Sequence, residues 1–205
     1  MRQGPDFAHE RALHTQGARF VAGVDEVGRG PLAGPVCVAA VILAPDAPLA
    51  GIDDSKKLNR TRREALAPLI LENAVAVAIV FASAEEIDRY NIRGATLRAM
   101  ARAVAGLAQA PDFALIDGRD IPAGLACPAR ALVGGDALSL SIAAASIVAK
   151  VVRDRLMARL DPQFPGYGFS RHAGYPTAAH RDALARLGPT PLHRRSFKST
   201  ADAVS

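Results

Sequence analysis

The stretch that most constrains this chain is an apolar run, Val21-Ala22-Gly23-Val24, that ends in two adjacent carboxylates, Asp25 and Glu26. The run has strand character and is expected to be buried. Unpaired buried charge is costly, so carboxylates at the end of such a strand call for a cation or a metal. A turn signal follows, Gly28-Arg29-Gly30-Pro31, and then a second apolar run over residues 36–43. The pattern reads as strand, acidic pair, glycine turn, strand: a hairpin with charge at its working end. A dinucleotide fingerprint is excluded. The spacing is Gly28-x-Gly30-x-x-x-Gly34, and Pro31 and Pro35 lead into β-rich sequence rather than a helix. The glycines let a backbone approach a ligand closely, and Arg29 suits a phosphate.

The chain's 205 residues, half of them hydrophobic, suffice for one domain with a sizeable core. Cys37 and Cys127 lie far apart, match no metal spacing, and read as free thiols in a reducing cytosol. The N-terminus, with Asp6 and Glu10, reads as neither signal peptide nor anchor, and no stretch is apolar enough to span a membrane. Net charge is +5. Setting aside four carboxylates proposed for one site leaves 25 basic against 16 acidic residues, a basic body suited to a polyanion.

Residues 1–18 read as a loose leader or a short helix. Strands are expected over 20–25, 36–44, 75–82, 113–118 and 129–133. Thr61 with Glu64 suggests a capped helix to about residue 73, with Pro68 as a kink or early end. Ser83 with Glu86 repeats the box, and residues 91–108 carry helical spacing. Gly134-Gly135-Asp136 introduces a long helix over 137–160, with small residues from Ala143 to Ser146 for close packing. A Gly-, Pro- and aromatic-rich loop fills 161–176, and a last helix spans 177–187. The layout is a mixed α/β layered domain with a helical C-terminal part. Asp117 ends a late strand before Gly118, where it could simply turn the chain, and Asp136 could be an ordinary helix cap. His172, His180 and His193 fall together late in the chain without zinc-site spacing.

The segment from Asp25 to Val36, Asp-Glu-Val-Gly-Arg-Gly-Pro-Leu-Ala-Gly-Pro-Val, closely resembles the ribonuclease HII family. The resemblance continues in order through Asp54-Ser55-Lys56-Lys57-Leu58, Ile116-Asp117-Gly118, Gly135-Asp136, the run from Ser141 to Lys150, Gly174-Tyr175-Pro176-Thr177 and His193-Arg194-Arg195-Ser196-Phe197. It implies the ribonuclease H-like fold, a five-stranded mixed sheet flanked by helices. The catalytic domain would cover 19–198, with a short tail over 199–205. The implied activity is an endonuclease that hydrolyses RNA paired to DNA and cuts 5′ of single ribonucleotides in duplex DNA, leaving 5′-phosphate and 3′-hydroxyl ends.

The resemblance carries Asp25, Glu26, Asp117 and Asp136 over as catalytic ligands of two Mn²⁺ or Mg²⁺ ions, the ions that hard oxygen ligands select. Asp25 would bridge them. It assigns Gly28, Arg29, Gly30 and Tyr175 to reading the 2′-hydroxyl, and places Lys56 and Lys57 near the substrate backbone. The implied partners are RNA/DNA hybrid and ribonucleotide-containing duplex DNA, handled by a cytoplasmic monomer with no evident protein partner. Gly134 and Ala173 depart from the family, standing where lysine is frequent. A binding module without catalysis would have lost a carboxylate, and none is lost. A nuclease for DNA alone would have no use for Tyr175 beside the glycine turn.

Overall fold

Strand β1, Val21–Val27, alternates its side chains between two helical layers. Ala22 and Val24 face one layer and Val21 and Gly23 the other. The computed structural model describes residues 4–201 apart from 46, 48–50, 54 and 56. Around β1 stand β2 (Val36–Leu43), β3 (Ala74–Ala82), β4 (Phe113–Asp117) and β5 (Ala129–Leu132), in the order β3-β2-β1-β4-β5. The β1–β2 and β2–β3 pairs are antiparallel, and β1–β4 and β4–β5 parallel, so the sheet is mixed as expected. Every strand expected from the sequence is present within a residue or two at its ends, β1 running on past Asp25 through Glu26 to Val27.

One face of the sheet packs against helix α3, Ala84–Ala105, and the other against α2, Arg60–Asn73, and α4, Leu140–Leu160. Ser83 caps α3 by accepting the Glu86 amide, as its sequence suggests. The helix breaks at Asn91, whose φ is 55°, and the Asn91 side chain recaps it by accepting the Gly94 amide. The cap of α2 differs from the expected box. Asn59 accepts the Arg62 amide, while Glu64 takes the Arg60 side chain. Pro68 does not end α2, which continues to Asn73.

Of the two readings of the leader, the short helix holds over its described part. Helix α1, Ala8–His14, sets buried Glu10 against the start of α4, where Oε1 accepts from the Ser139 hydroxyl (2.6 Å) and the Ser141 amide (2.9 Å). A carboxylate is well placed at the positive end of a helix dipole. Past α4 come α5 (Phe169–His172), α6 (Ala178–Leu187) and α7 (Lys198–Ala201). Among the described residues no helix is long and apolar enough to cross a membrane.

Candidate active site

Asp25 and Glu26 are consecutive in a strand, so they point to opposite faces of the sheet. Asp25 lies on the side of α4 with Gly23. Glu26 lines a cleft on the α3 side with Arg29, Arg93, Thr96 and Asp117. The last registered pair of the parallel β1–β4 ladder is Val24 with Ile116. The next residues along the two strands are Asp25 and Asp117, which therefore meet at the strands' carboxyl ends. Asp117 Oδ1 accepts the Gly135 amide at 2.7 Å, which joins the end of β4 to a single 3₁₀ turn, Gly135–Ala137, that carries Asp136.

Asp136 is buried in that turn and does not cap α4. The cap is Ser139, whose hydroxyl accepts the Ile142 amide. Burial pushes the Asp25 carboxyl well above the usual range, and the negative charges of Glu26 and Asp117 push it further. Burial likewise raises Glu26 to about 7, against the pull of Arg29, whose guanidinium lies 3.3 Å away. Carboxylates held at the cost of mutual repulsion are a donor set suited to a hard divalent cation. Among the described residues, no three Asp, Glu, His or Cys side chains already close around one point as metal ligands. The geometry therefore gathers Asp25, Glu26 and Asp117 electrostatically and brings Asp136 alongside through Gly135.

Two supporting groups were hidden in the sequence. The Ser146 hydroxyl bonds Asp25 and lies 2.8 Å from the hydroxyl of Ser55. The signal was a serine inside an otherwise apolar buried helical run, Ile142 to Ala149. Arg93 is the second, on an exposed face. It pairs with Asp120 through two bonds, at 2.9 and 2.7 Å, on the wall of the cleft beside Glu26.

The glycine turn and Tyr175 come together. A Cβ on Gly30 would lie 3.9 Å from Cε1 of the Tyr175 ring, and that ring is partly exposed. Gly174, at φ +80°, lets its own backbone meet the turn, since a Cβ there would strike the Ala33 carbonyl at 2.3 Å. Its carbonyl accepts the Leu32 amide at 2.8 Å. Gly28, at φ +92°, leaves room for the Arg153 guanidinium, which a Cβ would meet at 2.1 Å. Lys57 is described but pairs with Asp53 at 3.1 Å, and Lys56 and Asp54 lie outside the described residues. Gly134 and Ala173, at φ 67° and 48°, both occupy left-handed backbone that a lysine would strain.

The three late histidines converge, with His172 stacked on His180 at 4.5 Å between centroids and His180 5.3 Å from His193. Burial pushes His193 down to about 4, aided by the charge of His180, and burial also lowers His180. An imidazole with a depressed pKa binds fewer protons folded than unfolded between about 6.5 and its folded value, so its contribution to stability falls as pH drops through that window. Between pH 7 and 5 the parent is expected to lose on the order of 1–2 kcal/mol more than His193→Gln. Urea midpoints at the two pH values check this, and parallel losses in both proteins would refute it.

A five-stranded mixed sheet with Asp25 buried and Asp117 half-buried near the adjoining ends of its central strands is the arrangement that the resemblance to the ribonuclease HII family implies. The family model described as Ribonuclease HII matches residues 22–200. A protein named Ribonuclease HII from Ruegeria pomeroyi is 61% identical over 195 residues, covering 95% of this chain and 83% of its own. The crystal structure of ribonuclease H2 from Pyrococcus horikoshii OT3 superposes with a TM-score of 0.77 at 25% identity, covering 90% of this chain and 96% of the other. Bst-RNase HIII in complex with Mn²⁺ superposes at 0.69 with 26% identity, over 94% of this chain and 71% of that one. The chain belongs to the ribonuclease HII family and is a metal-dependent endoribonuclease.

Proposed function

We propose that this enzyme hydrolyses the RNA strand of RNA/DNA hybrids and also cuts 5′ of single ribonucleotides embedded in duplex DNA. The observation that carries the reading is the joining of the carboxylate edge to a glycine turn packed against Tyr175. In this reading Asp25, Glu26, Asp117 and Asp136 hold two divalent ions, Mg²⁺ or Mn²⁺. Such ions, when bound, activate a water and neutralise the leaving oxygen. The chain's own part is positional. Ser146 and the Glu26 amide, 2.7 Å from Oδ1, fix the Asp25 carboxylate. Arg29 balances Glu26 and reaches toward solvent, where a phosphate can sit. Gly28, Arg29 and Gly30 let the substrate backbone come close, while the Tyr175 ring packs on a sugar and its hydroxyl meets the 2′-hydroxyl. Lys56 and Lys57 are the further residues read as contacts to the substrate backbone.

The test is cleavage of a duplex carrying one ribonucleotide, with Mg²⁺, with Mn²⁺ and in EDTA. A cut leaving 5′-phosphate and 3′-hydroxyl ends, only with metal, is expected. Cleavage of long hybrids alone would remove the single-ribonucleotide activity. Tyr175→Phe keeps the packing and is expected to lose one hydrogen bond, about 0.5–1.5 kcal/mol of transition-state stabilisation. Tyr175→Ala loses both, and its kcat/KM is expected to fall further on the single ribonucleotide than on a long hybrid with many alternative registers. Equal slowing of both substrates would make Tyr175 a structural plug.

A further inference from the structure

The segment over residues 190–195 threads between the two elements read above as substrate contacts, and it is tied to both. The Gly34 amide donates to the Leu192 carbonyl at 2.8 Å, and the Arg194 amide to the Leu32 carbonyl at 2.9 Å. The Arg194 side chain is buried. Its guanidinium donates to the carbonyls of Gly28 (2.6 Å), Arg29 (2.9 Å) and Gly34 (2.8 Å). A buried cation spent on backbone carbonyls is costly, and here it holds one turn from behind.

His193, adjacent to Arg194 in the strap, turns toward the other element. The protons of the histidine chain can be placed from their partners alone. The Thr190 amide, 3.0 Å from His193 Nδ1, can only donate, so that nitrogen carries no proton. The Tyr175 carbonyl, 2.9 Å from His180 Nδ1, can only accept, so that nitrogen carries one. With both rings neutral, His193 Nε2–H donates to His180 Nε2 across 3.1 Å. The Thr190 hydroxyl, 2.9 Å away, gives His193 Nδ1 a second donor. His172 braces the stack, accepting the Gly174 amide at Nδ1 and donating from Nε2 to the Tyr167 carbonyl at 2.8 Å. The chain thus runs from Thr190 through His193 and His180 to the backbone of Tyr175, and every link has a donor and an acceptor.

We propose that His193 and His180 are positioning residues for substrate recognition: as a neutral relay on a strap anchored by Arg194, they fix Tyr175 against the Gly28–Gly30 turn. This rests on reading Tyr175 as a contact to the ribonucleotide. The burial that keeps both imidazoles neutral at pH 7 supports it. A purely structural role would move stability alone, whereas the relay acts through one side chain.

The test is a double-mutant cycle on the single-ribonucleotide duplex. His193→Asn keeps an acceptor near the position of Nδ1 for Thr190 but cannot reach His180. It is expected to lower kcat/KM by about tenfold, since small misplacements of a positioning group are costly. In a Tyr175→Ala background the same change is expected to cost less than about twofold, because its target is gone. His193→Gln, whose amide reaches toward His180, is expected to recover most of the loss. If His193→Asn melts below the assay temperature, His180→Gln takes its place. It keeps the contact with His193, gives up the donor to Tyr175, and carries the same expectations. An equal loss with and without Tyr175, or no loss in the parent background, overturns the proposal. A parent that cuts hybrids but not single ribonucleotides refutes the substrate reading instead, and the cycle is then decided on the hybrid.

Discussion

Asp25→Asn is expected to abolish metal-dependent cleavage while leaving hybrid binding in place and making the metal-free protein more heat-stable. The carboxylate lies at the carboxyl end of β1 beside Asp117, and its pKa is raised by burial first and by Glu26 and Asp117 next. A carboxyl whose folded pKa is raised binds more protons folded than unfolded, so it loses stability as pH climbs from its ordinary range through the folded value. Asparagine removes that repulsion and can still accept the Glu26 amide, 2.7 Å away in the parent. In EDTA near pH 7 the variant should therefore melt above the parent. Added Mn²⁺ should reverse the order, because the ion binds and stabilises the parent's folded state. Binding should persist, since the basic groups around the site are untouched. Melting curves with and without Mn²⁺, together with cleavage assays, decide it. Turnover within about tenfold of the parent would remove Asp25 from the chemistry.

Gly23→Ala should damage both stability and activity through a single contact. A Cβ at this position would stand 2.2 Å from the Ser141 carbonyl carbon and 2.3 Å from the Ile142 amide nitrogen. Both are backbone atoms of the first turn of α4, which cannot swing aside as a side chain could. The helix must lift from the strand, and overpacking of this kind costs about 1–3 kcal/mol or more. At about 2–4 °C per kcal/mol for a chain near this size, the melting point should drop by several degrees. The same lift would part Ser146, on α4, from Asp25, two residues along β1 from Gly23 on the same face. Cleavage should fall with the melting point even at temperatures where the variant is fully folded. An unchanged melting point would mean that α4 is not seated on β1 at Gly23.

What the sequence determined by itself was local and periodic. The strand before Asp25, the turn through Gly30, the five β runs and the Ser83 cap all follow from neighbours within a few residues. Even the break at Asn91 matches the point where the sequence divides two helical stretches. The candidate carboxylates were legible because an acid at the end of an apolar run is costly enough to stand out. Local rules failed where two nearby residues could do the same job. Asn59, rather than the Thr61 and Glu64 box, caps α2, and Ser139, rather than Asp136, caps α4.

Only the tertiary structure decided which groups meet across the chain. Ser146 supports Asp25 from 121 residues away by number, and the Arg194 guanidinium reaches Gly28, Arg29 and Gly34 across 160 to 166 residues. Arginines bonded to backbone carbonyls leave no partner to be read in the sequence, because every residue carries a carbonyl. The three histidines read as an unmatched metal spacing, and packing instead hydrogen-bonds His193 to His180 and His180 to the backbone of Tyr175. Glycines at positions 23, 28 and 174 were visible as letters, but the reason for each is a backbone or guanidinium from a distant segment occupying the place of its missing Cβ. Sequence periodicity sets which face a residue takes. What stands opposite that face is settled by close packing of segments far apart in the chain, and that packing sets the glycine turn at Gly30 against Tyr175.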